Sequence, residues 1–111
     1  MKSKTFLIQS EGLGQGDDRL GSLLMGNFLR FLAENKEKPG KMLFWNKGVL
    51  LLCEGSGVLA PLKALEASGV EIFACTTCLQ YFGVEDKLRI GKPTTMAKTI
   101  ESLIGEDVTS L

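Results

Sequence analysis

The chain has 111 residues, the length of one ordinary domain, and is read as a single domain over 1–111. Hydrophobic residues make up 44% and charged residues 23%, a globular composition that excludes a disordered chain. Thirteen basic residues balance thirteen acidic ones, which excludes a broad electrostatic footprint for nucleic acid.

The first apolar run, "TFLIQ" (5–9), is short and predicts a buried strand. "GLGQG" follows as a loop, and Asp17 or Asp18 is placed to cap the next helix by accepting its free N–H groups. In that helix Leu20, Leu23, Leu24, Phe28, Phe31 and Leu32 recur at helical spacing and predict the inward face, with Arg19, Ser22, Gly26 and Arg30 opposite. "NKEKPGK" is a turn-rich exit punctuated by Pro39-Gly40. "MLFW" (42–45) is the second strand. "NKGVLLLCEGSG" is apolar in the middle but bounded by glycines, which predicts a loop or single helical turn.

A helix then runs to about Ser68, with Val58, Leu59, Leu62 and Leu65 inward and Gly69 after its end. "VEIFA" (70–74) is the third strand, and "TTCLQYFG" opens a short helix ending at Gly83. "KLRI" (87–90) is a candidate fourth strand. Thr94 or Thr95 caps a last helix whose Met96, Ile100, Leu103 and Ile104 share a face, and "DVTSL" is a candidate fifth strand. Strands alternating with helices imply right-handed crossovers and a mostly parallel sheet covered on both faces. Ligands gather at the carboxyl ends of the strands in such folds. The loops after the first three strands, "SEGLGQGDD", "NKGV" and "CTTC", should therefore share one edge.

The longest apolar run, "VLLLC", cannot span a bilayer, and the run after "MKSK" is too short for a signal peptide. A cytoplasmic protein without a membrane partner is expected. Three cysteines, an odd number, fit a reducing compartment. With no histidine, a Cys-His or Ser-His pair cannot form within the chain, and covalent chemistry must rest on cysteine.

The glycines of "GLGQGDD" match neither dinucleotide nor P-loop spacing, and Asp17 and Asp18 would repel an anion at the helix start. Gly12, Gly14 and Gly16 are read as tight backbone close to the site. A zinc site at Cys75 and Cys78 needs two more ligands, and only Cys53, Glu54 or a second subunit could help, so no metal and no cofactor are expected. A thioredoxin-like disulfide has the spacing but not the Trp-Cys-Gly-Pro context. Cys75 stands at a strand-to-helix junction, ahead of the N–H groups of Thr76, Thr77 and Cys78, where a thiolate is favoured over an inert packed thiol. Cys53 after "VLLL" reads as core. Asn46 and the amides near Gly48 could line the same pocket.

The stretches "GQGDDRLGSLLMGNFL", "FWNKGVLLLCEGSGVLAPLKALEASGVEI" and "CTTCLQYFGVEDKLRIG" resemble the DsrE/DsrF-like sulfur-relay family, closest to the C-terminal domain of YedF-type proteins. The resemblance implies an α/β/α sandwich with a five-stranded parallel sheet in the order 4-3-2-1-5, and homo-oligomeric assembly. It places Cys75 at the position that holds a persulfide, with Cys78 set to release or protect the sulfur. It implies sulfur-donor and sulfur-acceptor protein partners, with selenium as an alternative cargo in YedF-type proteins. The TusA-like Cys-Pro domain that usually precedes this one is not in these residues, so a separate TusA-like donor is expected. The competing expectation is a binding module of the same fold, for a small anion or a protein, with structural or redox-sensing cysteines.

Overall fold

The structure, a computed structural model, describes residues 2–111. Its elements in chain order are β1 (Lys2–Ile8), α1 (Asp18–Glu34), β2 (Pro39–Phe44), α2 (Leu59–Ala67), β3 (Glu71–Cys75), α3 (Thr76–Tyr81), β4 (Lys92–Thr94), α4 (Met96–Gly105) and β5 (Asp107–Ser110). The strands form one parallel sheet in the order β4-β3-β2-β1-β5. The first three crossovers step in one direction and the last steps back. Right-handed connections therefore put α1, α2 and α3 on one face and α4 on the other. The expected α/β/α sandwich and strand order are observed. No helix among the described residues is long and apolar enough to cross a membrane.

Register makes the site edge. Ile8 pairs with Phe44, Phe44 with Ala74, and Cys75 with Thr94, so the strands end level with one another. In-register partners share a face. Ile8, Met42, Phe44, Ile72 and Ala74 thus point together into a core completed by Met25 and Leu29 of α1, Leu62 and Leu65 of α2, and Leu79 of α3. The "NKGVLLL" stretch is a 3-10 segment over 46–52, and it sinks Val49, Leu51 and Leu52 into the same core.

Several expected boundaries move. β1 starts before Thr5 and ends at Ile8, and β2 takes in Pro39 and Gly40. Proline is tolerated there because the first residue of a strand has no ladder N–H to lose. The fourth strand is Lys92–Thr94, not 87–90. The Lys87–Ile90 stretch runs against residues 52–54 instead: Glu54 N–H donates to the Lys87 carbonyl, and the Arg89 and Ile90 N–H groups to that of Leu52. Ile90 is buried there, which accounts for its apolar character without sheet pairing.

The inward face of α1 also differs. Gly21, Met25 and Leu29 are buried, Phe28 and Leu32 are half-buried, and Leu20, Leu23, Leu24 and Phe31 are exposed, Leu23 by 62% and Phe31 by 64%. The cause is local: the Leu13 N–H donates to the Gly21 carbonyl at 3.0 Å, drawing the glycine face of α1 onto the loop that precedes it. A Cβ on Gly12 would stand 2.9 Å from the Gly21 carbonyl carbon, so the two glycines permit the approach.

On the second sheet face α4 presents Thr99 and Ser102 inward, leaving Met96, Ile100 and Ile104 exposed. Thr95, not Thr94, caps α4, accepting from the Lys98 N–H at 3.2 Å. The reason for the polar inner side is Lys41, which projects from β2 beneath α4. Its Nζ reaches Glu106 Oε2 at 2.7 Å and Ser102 Oγ at 3.0 Å, while Thr5 Oγ1 donates to Glu106. Burial pushes the Glu106 carboxyl up, but the hydrogen bonds from Lys41 and Thr5 outweigh it and hold the group below its ordinary value.

A carboxylate depressed in the folded state adds stability that is fully present above its unfolded pKa, about 4.3, and is lost as pH falls through the folded value. Glu106→Gln should therefore lower stability by about 1 kcal/mol near neutral pH. The gap from the parent should close in acid. Urea unfolding near neutrality and again at about pH 3 measures both; a gap that does not change with pH would contradict the assignment.

Candidate functional site: a thiol pair at the carboxyl edge of the sheet

The β3 strand ends on Cys75, and α3 begins at the next residue. One turn on, Cys78 lies on the first turn of α3. All three cysteines are free thiols; Cys53 and Cys75 are buried and Cys78 is half-buried. Cys53 packs in the core as expected, its Sγ donating to the Val49 carbonyl at 3.3 Å; burial pushes its thiol up, against a smaller pull from Arg89.

The loop after β2 completes the site. The Trp45 N–H donates to the Ile8 carbonyl at 3.1 Å, which pins the loop to the end of β1. A Cβ at Gly48 would stand 2.5 Å from that same Ile8 oxygen, so only glycine fits there. Between these two anchors the chain turns through Asn46 at φ +52°, the one non-glycine residue at positive φ among those described. Asparagine enters this region more readily than most residues, and its Oδ1 accepts from the Lys47 N–H at 2.9 Å. The turn aims the Asn46 N–H at Cys78 Sγ, 3.0 Å away.

Cys78 is thereby the better-defined half of the pair. Burial pushes its thiol up, a hydrogen bond with Cys75 pushes it further, the Asn46 N–H draws it down, and charge on Cys75 raises it again. Cys75 occupies the cap position of α3 but makes no side-chain cap hydrogen bond among the described residues, and α3 is six residues long. Its field at the junction is correspondingly small. The group best placed to hold a sulfur anion here is the Asn46 amide.

Of the other expected site residues, Gly48 joins this cluster through the loop it anchors. Thr76 turns away from the thiols, its Oγ1 donating to the Thr94 carbonyl at 2.9 Å, and Thr77 is exposed. Gly12, Gly14 and Gly16 follow β1 in the loop on the same edge, but Gly12 and Gly14 border a separate hollow of about 350 Å³, shared with Asp17, Asp18 and Lys47, and Gly16 lines neither site. Gly14 and Gly16 do adopt positive φ, and Asp17 caps α1 by accepting from the Leu20 N–H at 2.9 Å. Lys47 escaped the reading of the sequence; its place between thiol pair and hollow depends on the turn at Asn46. Thr94, read only as a possible helix cap, instead pairs with Cys75 and holds Thr76.

Fold and site together define a parallel α/β sandwich with two free thiols and a backbone N–H donor at its carboxyl edge. Solved structures share the architecture. The ychN protein from E. coli matches with a TM-score of 0.70 at 17% identity, over 97% of this chain and 99% of that one. Protein MTH1491 from Methanobacterium thermoautotrophicum, a protein of unknown function, matches with a TM-score of 0.68 at 19% identity, over 97% of both chains. Protein BT1422 from Bacteroides thetaiotaomicron, a conserved protein of unknown function, matches with a TM-score of 0.62 at 18% identity, over 98% of this chain and 95% of that one. At such identities the likeness establishes the fold. No protein-family model and no curated protein matches the chain.

Since Cys75 raises the Cys78 thiol both by hydrogen bond and by charge, Cys75→Ala should lower it. Only the thiolate alkylates, so Cys78 in this variant should react faster near neutral pH, with its pH profile moved to lower pH. Iodoacetamide kinetics followed by peptide mass spectrometry measure this; an unmoved profile would mean that the two sulfurs do not interact.

Proposed function

We propose that this chain is a sulfur carrier of the DsrE/DsrF-like relay type, holding sulfane sulfur as a persulfide on the Cys75–Cys78 pair. The observation that carries the reading is the pair itself: two free thiols three residues apart across the strand-to-helix junction at the carboxyl edge, one of them receiving the Asn46 N–H. The step is thiol exchange. A cysteine thiolate attacks the outer sulfur of a donor persulfide, a new S–S bond forms, the donor's S–S bond breaks, and the donor leaves as a thiolate. No histidine is required, because nucleophile and leaving group are both thiolates. Partners are a persulfide-bearing donor protein, of TusA-like kind, and an acceptor with a reactive thiol. Selenium would follow the same chemistry.

Treatment of the folded protein with glutathione persulfide should add the mass of one sulfur atom, released by a thiol reductant. Cys75→Ser/Cys78→Ser should add none. A wild-type chain that never gains sulfur would leave the competing reading, a binding module of the same fold.

The same reading includes self-association. Leu20, Leu23, Leu24 and Phe31 on α1, and Met96, Ile100 and Ile104 on α4, expose apolar side chains on both outer layers. Large exposed apolar patches mark interaction surfaces, and a second copy brings the same apolar faces. Sedimentation of the wild-type chain should show an oligomer that Leu23→Lys/Phe31→Lys shifts toward monomer. A wild-type monomer at high concentration would count against it.

A further inference from the structure

The two thiols are unequal in access. Cys75 is the last residue of β3, 8% exposed and packed in the core cluster. Cys78 is half-buried, and its surroundings are open: Asn46, Thr77, Gln80 and Tyr81 are all exposed, Tyr81 by 84%. A persulfide presented by another molecule must bring its outer sulfur into bonding distance of the attacking thiolate. At Cys75 that approach is closed by strand and helix; at Cys78 it is open.

We infer that sulfur enters at Cys78 and is then handed inward to Cys75, so that the pair is a two-step internal relay and Asn46 its positioning residue. This rests on the sulfur-carrier reading and assigns the order within it. In the first step the Cys78 thiolate attacks the outer sulfur of R–S–SH, giving Cys78–S–SH and R–S⁻. In the second the Cys75 thiolate attacks the outer sulfur of Cys78–S–SH, giving Cys75–S–SH and a Cys78 thiolate, which takes up the proton Cys75 has lost. One S–S bond forms and one breaks in each step, and there is no net oxidation, so no outside oxidant or reductant is needed.

The Asn46 N–H serves both steps, because the Cys78 sulfur is the nucleophile in the first and the leaving group in the second. The path between them is short because Cys75 ends β3 and Cys78 lies on the first turn of the helix that starts at the next residue. Burial of Cys75 then shields the stored persulfide from water and stray thiols. A resolving role for Cys78 would end differently, with a Cys75–Cys78 disulfide and expelled hydrosulfide, and would need a reductant for each turnover.

The test is a time course with glutathione persulfide, quenched by rapid alkylation, with the extra sulfur located by fragmentation of the peptide that holds both cysteines. In wild type, sulfur should appear first on Cys78 and later on Cys75. In Cys75→Ser it should load and stay on Cys78; Cys78→Ser should load about tenfold more slowly or worse. Asn46→Val, whose β-branched side chain resists the positive φ, should load more slowly and move the pH profile of Cys78 alkylation upward, because the N–H that favours the thiolate is turned away; an unmoved profile would remove Asn46 from the relay. Sulfur first seen on Cys75, with Cys78→Ser loading at the wild-type rate, would overturn the order while leaving the carrier reading intact. No sulfur on either cysteine would overturn both.

Discussion

The contact on which the site depends is the seating of the loop after β2 on the last carbonyl of β1. The Ile8 oxygen accepts the Trp45 N–H at 3.1 Å and faces the bare Cα of Gly48, where a Cβ would stand only 2.5 Å away. Two fixed points three residues apart leave the chain between them little choice. Asn46 takes a left-handed conformation, and its N–H meets Cys78 Sγ. Such strain, usually of order 1–3 kcal/mol per residue, persists only where the surroundings over-determine it. Here they do: Val49, Leu51 and Leu52, just beyond the loop, are buried in the core and cannot follow a relaxed turn. The hydrophobic core thus reaches the chemistry through four residues of backbone.

The two faces of the sheet solve their burial problem differently. The face under α1, α2 and α3 is an apolar core built from in-register side chains. The other face has α4 and an ion pair, Lys41–Glu106, that also engages Ser102 and Thr5. Parallel sheets are nearly always covered on both faces, and here Lys41 ties α4 and the residue after it to the sheet through Ser102 and Glu106. With its polar residues turned inward, α4 shows its apolar ones outward. A small domain does not gain from that arrangement alone; the self-association proposed above would cover those side chains.

Much of the fold was legible because apolar runs of strand length alternate with helical patterns. The first three strands were found that way, with boundaries shifted by up to three residues. The strand order came from the family resemblance, since periodicity does not order strands. The β4 strand, "KPT", lacks an apolar signal because a three-residue edge strand buries little. The neighbouring "KLRI" carries one because Ile90 fills the core by another route. The α1 face was misjudged because counting leucines and phenylalanines ignores backbone: Gly21 against Leu13 sets the rotation of the helix. The Lys41–Glu106 pair spans 65 positions and left no local trace. At the site, the spacing of Cys75 and Cys78 singled out the pair, and Gly48 marked the loop. The positive φ of Asn46, and with it the N–H aimed at the Cys78 sulfur, follows from tertiary anchoring.

The most direct test of the central claim is a crystal structure of the protein after reaction with a persulfide donor. The account predicts additional sulfur density on the Cys75–Cys78 pair, with the Asn46 N–H still directed at the Cys78 sulfur and Cys53 unmodified. Sulfur on Cys53 alone, or an unmodified pair in a chain whose mass shows that sulfur has bound, would contradict it.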